Sequence, residues 1–281
     1  MLDGWRAARV SPGGAPGDGD WVPAVVPGTV ADAFADAEDL DEHEWWFRAT
    51  FDADGAAPLR LVLDGVATLA DVFVDDDVVA ASVSMFLAQR VELGVLAAGA
   101  HVLDIRCRAL APELARQRKP RVRWRTKLVT DSALRWWRTS LLGRSPGVSP
   151  GPPIVGPWRP VRVERADAAR VDDLEVRAVL AGDAGVVTVR GSLAGAAEAT
   201  VRLRGRGVDL SAPLEAGGAE LPVADPARWW PHTHGEPALY DVEIAAGDAV
   251  LARRRVGFRS LAPGPAPGHD VLAEGLDLHV N

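Results

Sequence analysis

Two short stretches in the middle of the chain carry the residue types best suited to binding chemistry. They are Arg121-Val122-Arg123-Trp124-Arg125 and, a little further on, Arg135-Trp136-Trp137-Arg138. Indole faces stack on the apolar faces of sugar rings, and guanidinium forks donate paired bonds to hydroxyls or carboxylates. Cations interleaved with stacking aromatics equally suit single-stranded nucleic acid. Arg123, Trp124, Arg125, Trp136 and Arg138 are therefore the candidate substrate-binding residues, with an ordinary solvated surface as the plainest alternative.

Other constellations promise less. His232-Thr233-His234 with Glu236 aims two imidazoles one way if extended, but a closed zinc site needs four ligands. Pro231, Gly235 and Pro237 mark a tight structural loop there, so neither a metal nor a cofactor is expected. Asp75-Asp76-Asp77, between two apolar runs, reads as a solvated hairpin turn, and Asp39 to Glu44 as an exposed acidic stretch. Trp45 and Trp46 are neighbours, so on a strand they face opposite ways. One belongs in a core; the other is a candidate surface platform.

Charge separates the chain into blocks. Residues 1–112 hold 7 basic and 19 acidic side chains, residues 113–165 hold 13 and 3, and residues 166–281 hold 11 and 17. The basic middle block contains both Arg/Trp stretches. The net charge of −8 argues against nucleic acid as a partner. One cysteine, Cys107, excludes an internal disulfide framework and a cysteine-based zinc site. No apolar run approaches the ~20 residues of a membrane span, and the first residues lack the apolar core of a signal peptide. No membrane partner is expected, and a cytoplasmic location is the default.

The elements that position these residues read as strands. From His101, the residues Leu103, Ile105, Cys107 and Ala109 fall on one face and Asp104, Arg106 and Arg108 on the other, the period of a half-buried strand. Cys107 thus lies inward, where a thiol acts as a small hydrophobe. Ala70 to Val74, Val161 to Glu164, Val201 to Arg204 and Tyr240 to Ile244 alternate likewise, and Leu59 to Leu63 and Val186 to Val189 add apolar runs. Turn signals separate them at Asp54-Gly55, Asp75 to Asp77, Ala98-Gly99, Gly182-Asp183, Gly217-Gly218 and Gly247-Asp248. Helix is scarce: Thr29, with Asp32 three residues on, caps a short one through Ala37, and Leu110 to Arg118 form another, interrupted by Pro112. The expected class is all-β. A jelly-roll β-sandwich over residues 1–167 is followed by an immunoglobulin-like β-sandwich over 168–262. Residues 263–281 read as a stiff Pro/Gly linker and the start of a further domain.

Several separate motifs carry a family resemblance. Val26-Pro27-Gly28-Thr29-Val30, Glu44-Trp45-Trp46-Phe47-Arg48, Leu63-Asp64-Gly65-Val66 and Gly156-Pro157-Trp158-Arg159-Pro160 resemble the N-terminal sugar-binding domain of family-2 glycoside hydrolases. Trp229-Trp230-Pro231-His232 through Leu239-Tyr240, then Val256-Gly257-Phe258-Arg259, resemble that family's immunoglobulin-like second domain, in its β-mannosidase-like branch. One element departs. β-Mannosidases carry Trp-Asp-Trp-Gly-Pro shortly before the closing strand, whereas residues 146–153 read Pro-Gly-Val-Ser-Pro-Gly-Pro-Pro and no Asp lies between Asp131 and Asp167. The resemblance therefore implies the family rather than mannose as the sugar.

What the resemblance implies about function centres on a domain further along. Family members hydrolyse terminal β-glycosides with retention, using two glutamates on a (β/α)8 barrel, one as acid and one as nucleophile ~5 Å away. Leu278-His279-Val280-Asn281 resembles the first strand leading into that barrel, so these 281 residues are expected to be the non-catalytic part. They would shape the substrate-side wall and hold the catalytic barrel domain as partner, with carbohydrate as the ligand of the intact enzyme. The Arg/Trp stretches then gain a further reading, as the interface against the barrel. A stand-alone carbohydrate-binding module is the alternative from a different class.

Overall fold

Alternating apolar and polar side chains become strands through most of the chain, and the computed structural model describes residues 2–116, 126–263 and 278–280. The chain divides into two units, Met1–Ala166 and Asp167–Asn281.

The first unit contains β1 (Asp3–Val10), β2 (Val22–Pro23), β3 (Glu44–Ala53), β4 (Pro58–Leu63), β5 (Ala70–Val74), β6 (Asp77–Ser82), β7 (Gln89–Val95), β8 (Gly99–Cys107) and β9 (Val161–Arg165). These form a six-stranded sheet in the order β2-β1-β3-β8-β5-β6 and a three-stranded sheet β7-β4-β9, every pair antiparallel. The core lies between them. Trp45, Phe47 and Phe51 of β3, Leu61 and Leu63 of β4, Val72 of β5, and Leu103, Ile105 and Cys107 of β8 are all buried there. Each valine, leucine, isoleucine and phenylalanine among them contributes about 1.5–3 kcal/mol by leaving water. Cys107 points inward as its strand pattern predicts, and burial pushes its thiol up to about 12.

The polar faces of these strands are also ordered. On the six-stranded sheet, Arg48 donates to both oxygens of Asp104 at 2.8 and 2.7 Å, and Arg106 donates twice to Asp71 at 3.1 and 2.6 Å. The Asp104 hydrogen bonds hold the Arg48 pKa above its ordinary value. On the other sheet Arg60, almost fully buried, donates from Nε to Glu92 at 2.6 Å. Cross-strand register sets these partners: Arg48 lies opposite Asp104, Arg106 opposite Asp71, and Arg60 opposite Glu92.

Short helices punctuate the unit. In α1 (Val30–Ala33) the Asp32 carboxylate accepts from the backbone N–H of Thr29 at 2.7 Å and from its hydroxyl at 2.9 Å, so the sequence cap is present, but the helix stops well before Ala37. In α2 (Ala111–Ala115) Pro112 sits in the first turn. It starts the helix instead of interrupting it, because the N–H it lacks has no intrahelical partner there. The β5–β6 hairpin turns at Asp75 and Asp76, with φ of 51° and 72°. Aspartate tolerates this left-handed conformation better than most residues.

In the second unit, seven of the described strands form two antiparallel sheets, the count of a constant-type immunoglobulin sandwich. β10 (Arg170–Ala181), β11 (Ala184–Ala194) and β14 (Ala219–Val223) form one, in the order β10-β11-β14. β12 (Thr200–Gly205), β13 (Val208–Pro213), β15 (Tyr240–Ala246) and β16 (Ala249–Val256) form the other, in the order β13-β12-β15-β16. Val187, Val189, Val201, Leu203, Leu221, Tyr240, Val242, Ile244 and Phe258 fill its core. Tyr240 meets Phe258 edge-on at 5.3 Å, and its hydroxyl accepts the Ala227 N–H at 2.7 Å. Of residues 263–281, Pro263 ends β17 (Leu261–Pro263), which pairs antiparallel with β18 (Leu278–Val280); the remainder lies outside the described residues. The all-β class, a jelly-roll sandwich and then an immunoglobulin-like one, is as the sequence predicts.

Candidate functional site

Trp136 and Arg138 sit in the long connection between β8 and β9, while Arg123, Trp124 and Arg125 lie outside the described residues. The connection is folded from local signals. Asp131 caps a one-turn 3-10 helix (Ser132–Trp136) by accepting the Ala133 N–H at 2.7 Å. Leu134 packs inward with Leu69 and Leu110, and Trp137 packs against that cluster. Trp136 is half-buried, and the Arg135 guanidinium lies 5.5 Å over its ring. Arg138 is exposed.

Arg138 is stitched to a second loop. Its carbonyl accepts the Met85 N–H at 3.0 Å, and Ser84 bridges to it in parallel. Met85 is the hub: its sulfur accepts the Ser140 N–H at 2.8 Å, and its carbonyl accepts the Trp158 indole N–H at 2.9 Å. The Thr68 and Thr139 hydroxyls meet at 2.5 Å. Gly65 lies beneath this knot, where a Cβ would come within 2.8 Å of the Met85 carbonyl and 3.0 Å of the Trp158 Nε1, so only glycine fits. Residues 83–87 and 138–142 therefore form one surface. Phe86 and Leu87 (46% and 63% exposed), with Leu141 and Leu142, give it an apolar character, and Arg159 stacks 4.2 Å over Trp158 beside Phe86.

A buried arginine anchors the same connection. Arg144, 2% exposed, donates to both carboxylate oxygens of Asp41 at 2.9 and 2.6 Å and to the Ser140 carbonyl at 3.2 Å. Residues 39–44 are consequently only in part the exposed acidic stretch that composition predicts: Asp39 and Glu42 are exposed, Asp41 and Glu44 are not. Asp41 is the counter-ion of Arg144, and Glu44 is 7% exposed at the start of β3, its Oε2 without a hydrogen-bond partner. Sequence reasoning missed Arg144, Asp41 and Met85 because their partners lie far along the chain and no local spacing marks them.

The tryptophan pair divides as predicted. Trp45 is fully buried and donates to the Leu40 carbonyl at 2.8 Å; Trp46, on the opposite face, stacks on Phe73 with ring centres 5.6 Å apart, beneath Arg106. Asp75 is more than a solvated turn residue. Its carboxylate meets His101 Nδ1 at 2.5 Å and accepts the Val102 N–H at 2.9 Å, while His101 Nε2 faces the Ala97 carbonyl at 2.8 Å. His232 and His234 stand exposed in a turn, and Glu236 pairs with Arg206. Among the described residues no group of three or more His, Cys, Asp or Glu is placed to hold a metal, and no helix is long and apolar enough to cross a membrane.

Known proteins match this arrangement along most of its length. A family described as glycosyl hydrolase 2 galactose-binding domain-like matches residues 9–159, and one described as glycosyl hydrolases family 2 matches residues 169–259. Beta-mannosidase B of Aspergillus fumigatus is 30% identical over 233 residues, covering 73% of this chain and 26% of that protein. Its counterpart in Aspergillus oryzae is 27% identical over 237 residues, covering 75% and 27%. The chain thus spans about a quarter of the length of the curated relatives it matches. Among solved structures, a β-D-mannosidase from Dictyoglomus thermophilum superposes with a TM-score of 0.71 at 17% identity, over 93% of this chain and 36% of that one. A β-glucuronidase from Faecalibacterium prausnitzii gives 0.63 at 16% identity, over 93% and 46%. At such identities the superpositions speak for the fold.

Proposed function

The chain belongs to glycosyl hydrolase family 2, and from that premise we propose that it forms the non-catalytic, sugar-facing domains of a retaining exo-β-glycosidase of β-mannosidase type. The observation that carries this reading is the paired surface of residues 83–87 and 138–142. Contiguous apolar side chains held rigidly at a surface mark an interaction site. Phe86, Leu87, Leu141 and Leu142 supply the face against which a catalytic barrel docks. Trp136 and Arg138, in the same connection, supply a stacking face and a forked donor suited to a terminal glycoside; Arg123, Trp124 and Arg125, outside the described residues, are the sequence candidates for the same role. In this reading the acid and the nucleophile of retaining hydrolysis belong to the barrel.

The Trp46–Phe73 stack beneath Arg106 favours a second reading, a stand-alone carbohydrate-binding module, because stacked rings beside a guanidinium also suit a sugar. Two measurements on the 281-residue chain separate these. Incubation with aryl β-mannosides, β-galactosides and β-glucuronides is expected to give no turnover. Turnover abolished by Trp136→Ala would overturn the non-catalytic assignment. Calorimetric titration with mannose- and galactose-containing oligosaccharides is expected to show no micromolar binding. Micromolar binding lost in Trp124→Ala would establish the free-standing module instead.

A further inference from the structure

The second unit carries a charge pattern that its fold does not require. On the outward face of the four-stranded sheet, register sets Asp209 of β13 opposite Arg204 of β12, Arg204 opposite Asp241 of β15, and Asp241 opposite Arg255 of β16. One step along, Arg202 lies opposite Glu243, and Glu243 opposite Arg253. Ion pairs follow these rows: Arg204–Asp209 at 3.3 Å, Arg202–Glu243 at 4.0 Å and Arg253–Glu243 at 3.0 Å. The row through Asp209 thus reads acid, arginine, acid, arginine, and stops on arginine at β16.

β16 is an edge. β15 pairs with it on one side, and among the described residues no strand pairs with it on the other. Arg255 makes no ion pair to a described residue, and Arg254, between the two outward arginines, is exposed as well. Arg202, Arg204, Arg253, Arg254 and Arg255 line an open groove of about 700 Å³ in which Asp241 and Glu243 are the lining carboxylates. Beyond the edge lies a second groove of about 480 Å³, running between β16 and the neighbouring edge strand β10; Arg255, Arg259, Trp229 and Val179 line it and no carboxylate does.

We propose that the free edge of β16 is a docking site for an extended acidic peptide segment, whose carboxylates at alternate positions continue the ladder beyond Arg253 and Arg255. The spacing fits. Alternate residues of an extended strand lie about 6.6–6.8 Å apart on one face, so carboxylates at i and i+2 match two arginines at i and i+2. Main-chain bonds to an open edge give affinity and side-chain pairs give register. Guanidinium–carboxylate pairs are the charge-assisted bonds that hold such a register. The outward groove has no aromatic lining, which favours a peptide over an acidic sugar. The competing reading is that the arginines only guard the edge against pairing with other chains.

The test is fluorescence anisotropy of the 281-residue chain with a labelled peptide of about eight residues bearing glutamate at every second position. Two controls accompany it: one keeps the spacing but replaces glutamate by lysine, the other keeps the composition but gathers the glutamates into a block. The alternating peptide is expected to bind, the lysine peptide not to bind, and the block peptide to bind several-fold more weakly. Raising NaCl from ~50 to ~300 mM should weaken binding, and backbone amides of residues 249–256 should gain protection from hydrogen exchange. Arg253→Glu with Arg255→Glu should cost at least about tenfold in affinity; Arg255→Gln serves if that pair disturbs the melting profile. No binding up to ~1 mM peptide would leave edge protection as the role and overturn the proposal. Equal binding of the block peptide, or of an oligogalacturonate at the same affinity, would overturn strand addition in favour of a shapeless anion site.

Discussion

The two units differ most in what lies between their strands. In the second, most neighbouring strands are joined by tight turns such as Gly182-Asp183 and Gly247-Asp248, and the longest connection, 224–239, closes on Tyr240 and Phe258. In the first, residues 108–160 leave the sandwich between β8 and β9, build two short helices and a third small core, and return. A connection of that length lies on the surface, and since its described residues form no strand ladder, side chains must hold them. The Arg144–Asp41 pair, the Met85 knot and the Leu134 cluster do this. The same burial problem is therefore solved once by strand register and once by a few long-range polar contacts. The second solution presents a loop-built surface to a partner, whereas the first leaves only its sheet edges and outward faces for that use.

The largest effect expected to break this contrast is Arg144→Ala. It strands the Asp41 carboxylate against a buried cavity and should cost about 3 kcal/mol. In urea titration followed by tryptophan fluorescence, the transition of the first unit should fall while that of the second stays in place. A loss shared by both transitions would deny that the long connection is the vulnerable part. Tyr240→Phe is the converse probe. It removes the acceptor of the Ala227 N–H and should cost about 1 kcal/mol, confined to the second unit.

The smallest effect is a pH dependence of the first unit. Both ring nitrogens of His101 face oxygen acceptors, an arrangement satisfied only by the imidazolium. The Ala97 carbonyl and then the Asp75 carboxylate raise the His101 pKa, and the His101 hydrogen bond foremost lowers that of Asp75. The histidine contribution is thus full below its unfolded value of about 6.5 and lost as pH rises through the higher folded value. The aspartate contribution is full above about 3.9 and lost as pH falls through the lower folded value. The urea midpoint of the first unit should decline on going alkaline from pH ~6, and His101→Gln should flatten that decline. An unchanged slope in the variant would remove this contact from the account.

Strand positions were legible in the sequence because alternation is local: Leu103, Ile105 and Cys107 fall inward by period alone, as do Val201 and Leu203. The split between Trp45 and Trp46 follows from the same period. The Arg/Trp stretches were legible as chemistry but not as geometry. Trp137 packs on the cluster of Leu69, Leu110 and Leu134, neighbours that no spacing announces, while Trp136 is half-buried outside that cluster. Asp41 reads as solvent-exposed charge because its partner is Arg144, on the far side of six intervening strands of chain. Pro112 was misread for a different reason: the same residue breaks a helix from within and begins one from the first turn.

Cys107 is the only thiol in the chain, and it is sealed between the two sheets of the first sandwich with its proton held tightly. An alkylating reagent therefore has nothing to attack until that sandwich parts. Its rate of incorporation becomes a clock for those openings alone, indifferent to anything the immunoglobulin-like half does.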